Sequence, residues 1–324
     1  MQKTLSVNLV PTPSTIVQAT HMVLQHTDQA SLSLSEVMGY SSHAFRINVR
    51  PKSIEADSPY TIHGGEALRR GFQLLGFDTQ ILCPPVKSIT PNMLTDIVDA
   101  IRQSLDRGIP VAGWNLFAME FGIIYGYDDS RGVLLARDNS FDGPIPYDQL
   151  PNRRILCLCV LGQPIEIERK DRLKKAVAAI LDHAYSRDGL AWDQVQDGLR
   201  SYDAWIDAFN GDKISNKGNA LNLHLISDAR RHAAAFLEIV SKQWEDGTAY
   251  GTNVSRLAEQ AAAHYADAAA CLGELAMMYP YPLRKKGANP RQKENVPRSI
   301  ELLSRTKEAE ERGIAVLNEL YAIG

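Results

Sequence analysis

His224, Asp228 and His232 recur at four-residue steps, so a helix through them would carry all three on one face. Such a line could hold a metal ion, although a solvated helix face is the plainer reading. Cys157 and Cys159 alternate on a strand-like segment and point to the same side. Two thiols alone do not make a zinc site, so core packing is expected there. The 4 cysteines share neither metal-ligand nor disulfide spacing, which suits a reducing compartment. Thr20 and His21 are adjacent, but neighbours in a helix face different ways, which argues against a hydroxyl nucleophile with its base. Arg46 could clasp a carboxylate or phosphate through two nitrogens, or pair with a buried Asp as a structural bridge. Trp114 could wall a pocket for an apolar or cationic group, or serve as core. The basic residues Arg284, Lys285, Lys286, Arg291 and Lys293 sit among Pro and Gly. They read as a mobile loop, or as a docking segment for an acidic partner such as a carrier protein. No phosphate-binding Gly-rich loop, His-Glu-x-x-His or Cys-x-x-Cys occurs in the sequence.

These residues need elements to position them. Ser14 to Gln25 predicts a helix with Ser14 as its cap. Ala44 to Val49 alternates like a strand, and Gly65 to Leu75 predicts a helix ended by Gly76. Phe77 to Leu82 predicts a strand. Thr90 and Pro91 open a helix that ends near Gly108. Strands are expected over Pro110 to Phe117, Phe121 to Tyr125, Val133 to Arg137 and Ile155 to Leu161, with a turn at Asp128 to Gly132. After Arg169 the apolar period becomes helical, through Leu173, Val177, Ile180, Leu181 and Ala184. Further helices are expected at about 193–210, 219–245, 252–279 and 296–322, interrupted at Gly211, Gly247 and Pro280 to Pro297. The expected class is therefore α+β: a mixed front of residues 1–165 and an all-helical rear of residues 166–324.

The stretch Gly113-Trp114-Asn115-Leu116-Phe117, followed by Glu120-Phe121-Gly122-Ile123-Ile124-Tyr125-Gly126-Tyr127-Asp128-Asp129, resembles a segment of papain-like bacterial proteins. These include the double-glycine leader peptidases and the N-terminal domain of the butirosin-biosynthesis acyltransferase. The resemblance covers Ser14 to about Gln163 and implies a papain-like fold, a helix packed on an antiparallel sheet. The family's chemistry uses a Cys nucleophile near a helix N-terminus, a His base and an orienting carboxylate. Carried over one position at a time, Ala19 stands where the Cys belongs, Glu120 stands at the His position, and Asp138 matches the carboxylate. Two departures are better explained by natural loss of the catalytic pair than by one engineered Cys→Ala change. Glu120 and Asp138 facing each other would give one of them a raised pKa, and turn chemistry is the other reading of Asp138. Around these three, Gln18 matches the Gln that the papain-like pattern uses for an oxyanion-hole amide, His21 reads as a cleft wall or a satisfied core histidine, and Arg46, Trp114 and Asn115 are further candidate ligand contacts.

The composition fits a water-soluble globular chain: 324 residues, 44% hydrophobic, 23% charged. A net charge of -3 gives no electrostatic ground for nucleic-acid binding. No signal peptide or bilayer-spanning run is apparent, so a cytoplasmic chain without cofactor or metal is expected. Three functions compete. The first is a catalytically degenerate cleft that binds a small peptide-like or amine-bearing metabolite in bacterial natural-product metabolism. The second is an acyl-transfer or amide-cleaving enzyme that uses Glu120 and Asp138. The third is a structural partner in an assembly.

Overall fold

The computed structural model describes residues 1–323 apart from 86–87, 153–154, 212 and 284–286. The chain is α+β and divides into two compact units. One comprises Met1–Val37 and Gly65–Ile167; the other comprises Met38–Gly64 and Glu168–Gly324. The division departs from a single cut at residue 165, because 38–64 joins the helical unit.

In the first unit, β3 (Phe77–Leu82), β8 (Cys157–Pro164), β4 (Val111–Trp114), β5 (Phe121–Asp128), β6 (Val133–Arg137) and β7 (Asp142–Pro146) form an antiparallel sheet in that order. A short β1 (Gln2–Thr4) adds to β5. The ladder pairs Ala112 with Ile123 and Cys159, and Trp114 with Phe121 and Cys157, so these side chains share one sheet face. The helix α1 (Thr15–Leu24) packs against β4 and β5. The opposite face, with Val111, Ile124, Leu134, Leu158 and Val160, forms a core with Ile97, Ile101 and Leu105 of α4 (Pro91–Asp106). Thr90 caps α4 as its type predicts, accepting from Met93 N at 3.3 Å, with Pro91 in the first turn. A further helix, α3 (Gly64–Leu74), ends before Gly76, whose φ of 94° suits glycine at a helix terminus.

Two features of this unit lay outside the sequence reading. Residues Ser33 and Glu36 form a reciprocal cap at the start of α2 (Leu34–Tyr40): Ser33 N and Oγ donate to Glu36 Oε2 at 2.9 and 2.8 Å. Cys83 and Cys157 are joined as a disulfide, which corrects the expectation that the cysteines are unpaired. The β3–β8 register runs to Leu82 opposite Leu158, so Cys83 and Cys157 are the next cross-strand pair. The pairing also removes the ground on which the cysteines were assigned to a reducing environment.

The second unit is built from α5 (Arg169–Ala184), α6 (Arg200–Asn210), α7 (Asn216–Gln243), α8 (Ala249–Met278) and α9 (Val296–Ile323). Its core joins Trp205 and Tyr202 of α6 to Leu223 of α7, Leu272 and Leu275 of α8, and Leu302 and Leu303 of α9. No helix among the described residues is long and apolar enough to cross a membrane.

The strand expected over Ala44 to Val49 is corrected here. His43–Phe45 forms a 3-10 turn after Ser42, whose φ is 64°, and only Asn48–Val49 (β2) is extended, pairing with Gln196–Asp197 (β9). The reason is that side chains take the backbone groups a ladder would use. Arg230 Nη1 donates to Ala44 O and Arg46 O at 2.9 and 3.0 Å, and Ile47 N donates to His183 Nε2 at 2.9 Å. The helix expected from about 193 begins only at Arg200. Residues Gln196–Asp197 are committed to β2, and Gly198 has φ 61° and lies where a Cβ would meet His183 O at 2.4 Å.

Candidate functional site

Of the residues singled out by the family resemblance, Trp114, Asn115, Glu120 and Asp138 lie at one end of the first unit's sheet, where β4 ends, β5 begins and β8 begins. Phe121 N donates to Thr15 Oγ1 at 3.2 Å, which ties the first turn of α1 to the first residue of β5. Ala19 lies one turn further along the same helix face and is 1% exposed. Gln18 is buried and donates through Nε2 to Val10 O at 3.2 Å. His21 is buried beside Gln25, with Nδ1 and Nε2 3.3 Å apart, and burial lowers its pKa. Thr20 donates its hydroxyl to Ile16 O at 2.8 Å, so that hydroxyl is committed to the helix backbone.

The β4–β5 connection is a tight loop. Asn115, at φ 63°, donates N–H to Glu120 O at 2.9 Å and Nδ2 to Ile155 O at 3.1 Å. Trp114 stacks edge-on against Phe121 with ring centroids 4.9 Å apart. Asp138 organises this loop from the end of β6. Its Oδ2 accepts from Phe117 N and Ala118 N at 3.1 and 2.9 Å, and its Oδ1 accepts from Ser140 N and Phe141 N at 2.8 Å each. A carboxylate with four backbone donors acts as a staple between two loops, the turn chemistry that an Asp at this position favours.

Glu120 is half-buried, and its Oε1 accepts from Ser140 Oγ at 3.0 Å. The two carboxylates are thus linked through Ser140, whose N–H serves Asp138 and whose hydroxyl serves Glu120. Glu120 has no ion-pair partner among the described residues. Exposed apolar side chains surround it in sequence and sheet position: Met119, Phe141 and Ile155 are 60%, 56% and 50% exposed, and Phe117 stacks on Phe141 at 5.0 Å.

Arg46 belongs to the second unit, where Nη1 meets Asp188 Oδ2 at 2.7 Å as a largely buried bridge, the structural alternative that its sequence offered. The same Asp188 oxygen lies 3.0 Å from Nδ1 of the fully buried His183. Since His183 Nε2 accepts from Ile47 N–H, the ring proton resides on Nδ1 and is donated to Asp188. Burial and the neighbouring Arg46 charge push the His183 pKa down to about 4, whereas the His183 and Arg46 contacts hold the Asp188 carboxyl well below its usual range. Ligand-type atoms of His183, Asp188 and Asp197 lie within 4.8 Å of one another. The Arg46 guanidinium already supplies the positive charge at Asp188 that a cation would bring, and both His183 nitrogens are in use. The cluster is a neutralised structural network, which sequence spacing could not reveal.

The His224, Asp228, His232 line is present on α7, but Asp228 is buried and engages Arg231 at 2.6 Å and His232 at 3.8 Å. His224 stacks on Tyr281 at 5.6 Å. Of the basic segment, Arg284, Lys285 and Lys286 lie outside the described residues, and Arg291 donates from Nε to Ile214 O at 2.9 Å. Cys159 is buried, and burial pushes its thiol up to about 12. No protein-family model matches this sequence, and no curated protein matches it.

Proposed function

We propose that the first unit is a catalytically degenerate papain-like domain that binds a small peptide-like or amine-bearing metabolite at the sheet end where α1 meets β5. A helix packed on an antiparallel sheet supports the fold reading. The observation that carries the ligand reading is Glu120: a half-buried carboxylate, without an ion-pair partner among the described residues, next to exposed Met119 and near Phe141. An ammonium group would meet the carboxylate, and an apolar side chain of the ligand would cover the aromatic rim. Ala19 has no nucleophilic atom, and the Asp138 oxygens are engaged by backbone donors, so the site is suited to holding rather than cleaving.

Calorimetric titration with short apolar peptides tests this. Peptides with a free N-terminus are expected to bind and N-acetylated versions to bind more weakly. The Glu120→Gln variant is expected to lose roughly tenfold or more in affinity, the value of a charge-assisted hydrogen bond of about 1.5–3 kcal/mol. Equal binding of free and acetylated peptides, or unchanged affinity in Glu120→Gln, would refute the reading.

A further inference from the structure

The Cys83–Cys157 bridge has an asymmetric setting. Cys83 is exposed and Cys157 is 8% exposed, so a thiol arriving from solvent reaches one sulfur of the pair far more readily than the other. The bridge lies just beyond the last paired residues of β3 and β8, and the ladder from Thr79–Leu161 to Leu82–Leu158 is held by backbone bonds independent of it. Both sulfurs sit against Gly65, the second residue of α3. A Cβ on Gly65 would meet Cys157 Sγ at 3.0 Å and Cys83 Sγ at 3.2 Å. The first turn of a helix is its positive end and favours a thiolate beside it. Cys159, two residues on and on the same face, is a poor competitor because burial holds its thiol protonated.

We propose that Cys83 and Cys157 form a reversible thiol–disulfide exchange site whose reactants are small thiols and dithiols. A thiolate RS⁻ attacks Cys83 Sγ. The Cys83–Cys157 bond breaks, a Cys83–S–S–R mixed disulfide forms, and the electron pair leaves on Cys157 Sγ. A second RS⁻ then attacks the R sulfur, releasing RSSR and the Cys83 thiolate. The protein disulfide is reduced by two electrons, two thiols are oxidised to one disulfide, and the two thiol protons end on Cys83 and Cys157. The exchange stands independently of the ligand reading above.

The test uses the full-length protein in native buffer with graded ratios of reduced to oxidised glutathione, quenched in acid and read by intact and peptide mass spectrometry. The expected result is a bridged pair under oxidising ratios that opens under reducing ratios while the far-ultraviolet circular dichroism stays native. Glutathione is expected on Cys83 in the Cys157→Ser variant about tenfold faster than on Cys157 in the Cys83→Ser variant. Should either variant fail to fold, the transient Cys83 adduct in the wild-type protein is the readout. Two free thiols under oxidising ratios, opening only with unfolding, or equal reactivity of the two sulfurs would overturn the proposal.

Discussion

Arg230 and Glu310 meet as a buried, two-point ion pair in the helical unit. Nε lies 2.5 Å from Oε1 and Nη2 lies 3.1 Å from Oε2, with side-chain exposures of 0% and 4%. Tyr202 donates its hydroxyl to Glu310 Oε1, and Arg230 Nη1 spans Ala44 O and Arg46 O. The pair therefore ties α6, α7 and α9 to the turn at 43–46. Taking two charges out of water is costly, and the extra hydrogen bonds offset that cost.

Removing one partner should be far worse than removing both. Glu310→Gln leaves a buried guanidinium without its counter-charge and is expected to cost about 3–5 kcal/mol in denaturant-induced unfolding. The double variant Arg230→Met with Glu310→Leu is expected to recover part of that loss. A Glu310→Gln midpoint equal to wild type would show that the pair does not hold this core.

Asp138 should matter to stability through its loop. Asp138→Ala strands four backbone N–H groups at Phe117, Ala118, Ser140 and Phe141. A loss of at least about 2 kcal/mol is expected. Hydrogen exchange should accelerate at those four amides before the sheet amides respond. Unchanged exchange there would contradict the staple.

Acid should weaken the helical unit before carboxylates titrate. The His183 and His43 pKa values are lowered to about 4 and about 3, first by burial and then by the Arg46 charge. Both rings are neutral in the folded chain at pH values where the unfolded chain already binds protons. Their contribution is complete above about pH 6.5 and is lost as pH falls through 6.5 toward 4 and 3. The thermal midpoint is expected to decline across that window, and His43→Gln should make the decline shallower. A flat midpoint between pH 6.5 and 4 would argue against the buried neutral rings.

Where local chemistry decides an element, the sequence is readable. The strands Phe77–Leu82 and Val133–Arg137 match the observed ones residue for residue, and Gly76 and Gly132 at φ 94° and 63° mark their starts. Thr90 and Pro91 place α4 by capping alone. Where distant groups decide, local pattern misleads. The turn at 43–45 looks extended because Phe45, Ile47 and Val49 alternate, but its carbonyls answer to an arginine 186 and 184 positions away. The Cys83–Cys157 bridge spans 74 residues of sequence and is visible only through the β3–β8 register. Pro144 and Pro146 disguise β7, a strand they allow because it lies at the sheet edge. The link from Asp138 through Ser140 to Glu120 likewise needs two loops brought together by the sheet, and no spacing rule encodes it.

The place of residues 38–64 in the helical unit bears on the order in which the protein can mature on the ribosome. The carbonyls of Ala44 and Arg46 leave early, Arg230 follows much later, and Glu310 later still. Until Glu310 emerges, Arg230 is an unneutralised cation whose final setting is buried, and the 43–46 turn has no lasting partner for its carbonyls. The helical unit is thus expected to condense only after Glu310 has emerged, with the early segment held open for a closing residue more than 250 positions downstream.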